Sequence, residues 1–182
     1  MPLIFLKTDH GAHPPEKWAL ATAHNLVLIA PNSDMLIQRA ASELQFKVAD
    51  ALVKHYRNLQ EAEAGALALH GDDHLATPID PLPYVDAALA DVVAAAKGTS
   101  WEEKFKSTER REHEFNVFLA PGEEPLPPYP SVQDVMKSLI ASYFAGAIHN
   151  ARSWHADKHP EGPNAIAFKK AHHPGPTPNP VN

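Results

Sequence analysis

The stretch SVQDVMKSLIASYFAGAIHNARSWHADKH, residues 131–159, decides the fold. Within it Val132, Val135, Met136, Leu139, Ile140, Tyr143, Phe144, Ala147, Ile148 and Ala151 recur at intervals of three and four. That spacing lines one side of a 3.6-residue turn with apolar groups and predicts an amphipathic helix facing a core. Both ends of the helix are marked in the same stretch. Pro130 interrupts what precedes, Ser131 is suited to accept from the free N–H groups of the first turn, and Asp134 favours the positive end of the helix dipole. Pro160 disfavours helical geometry at His159 and sets the stop. About ten side chains buried at roughly 1.5–3 kcal/mol each give a large gross stabilisation, most of which the entropy of ordering cancels. Such a helix needs neighbours to fold.

Composition limits what those neighbours build. A chain of 182 residues, 44% hydrophobic and 21% charged, is long enough for one domain with a substantial core. The net charge of −6 argues against a nucleic-acid partner held by overall positive charge. No cysteine is present, which excludes disulfides, thiolate zinc sites, iron–sulfur clusters and a cysteine nucleophile. Leu3–Leu6 is too short an apolar run for a secretory signal, and Leu139–Ile148 falls far below the ~20 residues needed to cross a bilayer. A cytoplasmic protein without a membrane partner is the expectation.

Outward from the organising helix, Leu3–Leu6 reads as a short extended segment and Thr8–Pro14 as a loop. Pro15 opens a helix that carries Trp18, Ala21, Thr22, Leu26 and Ile29 and ends before Pro31. Leu26–Ala30 alone also fits a buried strand, which would make residues 3–30 a β–α–β unit; the helix formers of Ala19–Ala23 favour the helix. From about Asp34 to Leu69 runs a seam of Ile37, Ala41, Leu44, Val48, Ala51, His55, Leu59, Ala62, Ala66 and Leu69, close to a heptad repeat. A helix of that length spans roughly 50 Å at 1.5 Å per residue. It is therefore expected either to break near Gly65 or to project and pair with another chain. Gly71 suits the left-handed residue that ends a helix. Thr77–Pro83 is an extended link, and Val85–Ala96 a short helix closed by Gly98. Ser100 with Glu103 forms a capping box opening a charged helix from Trp101 to about Leu119. Pro125–Pro130 is a polyproline-like connector. The fold expected is all-α, a bundle of about five helices with a long central helix, a short extended N-terminal segment and a Pro-rich C-terminal tail. Residues 1–160 form its single helical domain. Residues 161–182 are an extended tail in which Ala165–Phe168 has strand character.

Twelve histidines raise the question of metal or proton chemistry. At 100° per residue Arg152, His155 and His159 fall within about 60° of one helix face. His155 and His159 stand one turn apart, the spacing at which two imidazoles share an ion such as zinc. A third ligand would come from His10, His13, His70, His74 or Asp157. His70 and His74 also flank Gly71-Asp72-Asp73, a group with the donors for a divalent metal and, equally, the composition of a solvated helix end. The plainer reading packs His155 on Trp154 and leaves His159 as a cation at the negative helix end. His55, inside the long seam, is read as a hydrogen-bonded core residue. A di-iron carboxylate bundle is excluded, since no histidine has Asp or Glu three positions before it. A glycine-rich phosphate loop, a Gly-x-Ser-x-Gly elbow and a His-Glu-x-x-His helix are all missing.

Arg152 and His159, with six residues between them on a late helix, resemble the active-site motif of HEPN-type ribonucleases. The resemblance covers these two positions, with Ser153 after the arginine. It implies that His159 and Arg152 act on the RNA 2′-hydroxyl and scissile phosphate. Of the functions these residues allow, a non-enzymatic helical assembly or interaction protein comes first. It self-associates through the helix 34–69 or takes another protein partner. A histidine-dependent metal protein or hydrolase using His155 and His159 is the alternative, with the ribonuclease reading behind it.

Overall fold

Ser131 caps the organising helix in the way its position predicts. Its hydroxyl accepts from the Asp134 N–H at 3.1 Å, while the Asp134 carboxylate accepts from the Ser131 N–H at 3.1 Å. These two bonds satisfy donors that the first helical turn leaves free. The computed structural model describes residues 15–28, 37–109 and 131–172, and these form six α-helices. They are α1 (Pro15–Leu28), α2 (Ile37–His70), α3 (Leu82–Ala95), α4 (Glu102–Lys106), α5 (Val132–Lys158) and α6 (Pro163–His172). A 3-10 helix, Gly71–Ala76, joins the end of α2 to the link before α3. The fold is all-α, a helical bundle with no strand among the described residues. Leu26 and Val27 lie inside α1, so the β–α–β alternative does not stand. The extended segment 3–6, the connector 125–130 and the tail beyond His172 lie outside the described residues.

The long helix α2 neither breaks at Gly65 nor stands apart. α1, α3 and α5 pack along it, and Leu44, Val48, Leu52, Tyr56 and Leu59 join the main core with Phe105, Met136, Ile140 and Phe144. Of the expected seam, Leu44, Val48, His55 and Leu59 are buried, and beyond Leu59 it is lost. Leu69, its last expected member, is 77% exposed, whereas Leu67 is buried. An α-helix drifts about 20° per heptad against a 3.5-residue repeat, so over this length the buried stripe moves to Leu52, Tyr56, Leu59, Glu63 and Leu67.

Polar contacts fix the bundle's registers. Arg57 pairs with Glu16 and joins α2 to α1. His55 is buried and bonds Asp91 at 2.7 Å, joining α2 to α3 as a hydrogen-bonded core histidine. Lys137 pairs with Asp86 at 2.7 Å and joins α5 to α3. The Trp101 indole N–H reaches the Val27 carbonyl at 3.3 Å, and the Tyr143 hydroxyl donates to the Pro15 carbonyl at 2.9 Å.

Three local expectations are corrected. The charged helix from Trp101 is only α4; it ends at Ser107, whose backbone is extended and whose carbonyl accepts from the Gln133 N–H. Residues 110–119 of that expectation lie outside the described residues. The Ser100–Glu103 capping box does not form: Trp101 is the N-cap, and Glu102 instead accepts from the Gly98 N–H at 2.8 Å. Gly98, at φ 77°, supplies the left-handed turn that sets this geometry. Residues 163–172, expected to be non-helical, are α6. Pro163 occupies its first position, where a missing N–H costs nothing, and its cap comes from elsewhere in the chain.

Candidate functional site

A second, smaller core lies at one end of the bundle, built from Leu67, Leu75, Ala151, Ala156, Ala165 and Phe168. It joins the end of α2, the 3-10 helix, the end of α5 and α6. Glu63, 0% exposed, stands on α2 between Leu59 of the main core and Leu67 of this one. A carboxylate so placed needs partners, because burying an unpaired charge is strongly unfavourable. Oε2 accepts from the Ile79 N–H and bonds His74 Nε2, each at 3.0 Å. Oε1 lies 3.8 Å from Arg152 Nε, and neither of these two buried atoms has a hydrogen-bond partner. Arg152 donates from its outer guanidinium nitrogen to the Leu75 carbonyl and lies over the Phe168 ring, 5.1 Å from its centre. Burial lowers the Arg152 pKa, and the Glu63 charge opposes that shift.

The 3-10 helix is the hub of this end. Gly71, at φ 63°, turns the chain out of α2. The Asp72 carboxylate then accepts from the Asn164 N–H at 2.9 Å and the Ala165 N–H at 2.8 Å. It acts as an N-cap for α6 from another part of the chain. Asn164 returns a bond to the Asp72 carbonyl. Gly162 is required here: a Cβ at that position would collide with the Asp72 carboxylate.

Between these elements opens a cleft of about 470 Å³. Its walls include Ala64, Leu67, Ala68 and Ala151, with Asp72, Trp154, His155, Lys158, His159 and Glu161 among the polar and aromatic groups around them. Trp154 is 62% exposed, and the Lys158 ammonium sits 3.6 Å from its ring centre. The rings of His155 and His159 are 4.8 Å apart at 41°. Burial, and after it the neighbouring His159, hold the His155 imidazole below its ordinary pKa.

The structure thus divides the predicted site residues. His155 and His159 come together on the cleft. Arg152 belongs to the Glu63 cluster, bound to the Leu75 carbonyl, while its proposed companion His159 lines the cleft. His70 and His74 have ring centres 6.4 Å apart, and His74 is engaged by Glu63. Among the described residues no three His, Cys, Asp or Glu side chains gather closely enough to hold one ion. His10 and His13 lie outside those residues. Sequence reasoning missed Glu63 altogether. Its signal was present: on a 3.6-residue period Glu63 shares the face of Leu52, Tyr56, Leu59 and Leu67. No family model, curated protein or solved structure matches the chain.

Proposed function

We propose that the protein is a non-enzymatic helical interaction protein that self-associates, and that the contact is made at the cleft end of α2 and α5. The carrying observation is the exposed Trp154 at the edge of a cleft with apolar walls. Large aromatics beside a concave apolar surface are the usual anchors of protein interfaces. From Leu44 to Leu59 the apolar side of α2 is occupied within the chain by α1, α3 and α5, which leaves the cleft end of the helix for a partner. A second copy suits the cleft end because Lys158 stands there with Asp72 and Glu161. A two-fold contact places each surface against itself, so charged groups there pair favourably only when both signs are present. Glu63, His74 and Arg152 support the non-enzymatic reading, since their contacts hold helices together.

The test is sedimentation velocity on the full chain at micromolar concentration, with a chelator present. A dimer that Trp154→Glu converts to monomer, with the helical circular dichroism unchanged, is the expected result. A strict monomer across the concentration range overturns the reading. So does a dimer indifferent to Trp154→Glu.

A further inference from the structure

We propose that His155 and His159 form a two-imidazole chelate for a late first-row divalent transition-metal ion, Cu²⁺ foremost, at the cleft. The ring centres are spaced as those of two ligands on one ion would be. A metal–nitrogen bond of about 2.0–2.1 Å, with the ring centre about 1.15 Å behind the nitrogen, puts each centre about 3.2 Å from the metal. Two rings then have centres about 4.5 Å apart at a 90° angle and about 5.2 Å apart at the tetrahedral angle. The observed 4.8 Å lies between these limits.

Imidazole nitrogen suits Cu²⁺, Ni²⁺ and Zn²⁺, and affinity for such donors rises to a maximum at Cu²⁺. Structural zinc prefers a closed tetrahedron of four ligands, whereas tetragonal Cu²⁺ or Ni²⁺ accepts two imidazoles side by side with the other positions open. The helix prepares the chelate. Residues four apart lie one above the other, and the His159 N–H donates to the His155 carbonyl at 2.9 Å, which holds the last turn in place. Two donors come from the chain, consistent with the absence of a third close ligand among the described residues. The remaining positions would be filled by water or by a ligand seated in the cleft that both histidines line.

Calorimetric titration of the full chain with CuCl₂, NiCl₂ or ZnCl₂ alone, near neutral pH, tests this. His172→Ala/His173→Ala serves as the background that removes the sequence-adjacent pair and, with it, the His149–His172 pair, whose ring centres are 4.9 Å apart. One equivalent of Cu²⁺ is expected on that background, bound more tightly than Ni²⁺ or Zn²⁺, with two-nitrogen equatorial coordination by electron paramagnetic resonance. His159→Gln, at an exposed position, should weaken Cu²⁺ binding at least about tenfold without altering the circular dichroism. Unchanged affinity in His155→Gln/His159→Gln overturns the proposal, as does binding that disappears with His172 and His173. Absence of Cu²⁺ binding overturns it as well. The readout is independent of self-association, which is measured with metal chelated.

Discussion

Removing both members of the Glu63–Arg152 pair should destabilise the protein far less than the two single losses added together. Glu63 is fully buried, and its free oxygen lies 3.8 Å from Arg152 Nε. At an effective dielectric of about 20, Coulomb attraction over that distance is about 4 kcal/mol, a gross figure set against several kcal/mol of desolvation per ion. The intact pair is therefore close to neutral, whereas a surviving single charge retains its desolvation cost. Glu63→Leu and Arg152→Met should each cost about 3–5 kcal/mol. For a chain of this length that lowers the melting temperature by about 6–20 °C. The double variant should fall short of the summed loss by about 2–4 kcal/mol. It still loses the Arg152 bond to the Leu75 carbonyl and leaves the Ile79 N–H without its acceptor. Urea unfolding of the four proteins, followed by circular dichroism, gives the coupling directly. Additivity to within about 0.5 kcal/mol would refute the buried-pair account.

Four further expectations follow from single contacts. Asp72→Ala removes the acceptor of two α6 N–H groups and should cost about 1–2 kcal/mol, with hydrogen exchange rising selectively in residues 163–172. Gly162→Ala should produce the same local signature, because the new methyl displaces the Asp72 carboxylate; protection of α6 equal to wild type would count against the remote cap. Ser131→Ala opens the capping box of α5 and should cost about 1 kcal/mol in thermal or urea unfolding. Finally, the hydrogen bond from His55, and after it the contact with Lys54, holds the Asp91 carboxyl below its ordinary pKa. The folded state thus binds the proton less readily than the unfolded state. The corresponding stability is complete above the ordinary aspartate range and is lost as pH falls through the lowered value. Stability of Asp91→Asn measured across that acid range should decline less steeply than wild type.

The sequence by itself determined the helices that carry their own information. Residues 131–159 contain an apolar stripe, a serine cap and a terminating proline, all within local reach, and α5 follows them from Val132 to Lys158. The left-handed glycine after α2 and the hydrogen-bonded His55 were legible for the same reason. The adjacency of His155 and His159 was legible too, since helical pitch alone places them together. What only the tertiary structure decided rests on partners far apart in the chain. α6 was missed because its cap is the carboxylate of Asp72, more than ninety positions upstream of the N–H groups that it serves. α2 continues through Gly65 because neighbouring helices supply burial that a weak helix former cannot. Glu63 lies on the correct period for the core, but a pattern that counts only apolar residues passes over it. Its charge is tolerated inside because Arg152, His74 and the Ile79 N–H converge on it from three other segments, and no local rule encodes that convergence.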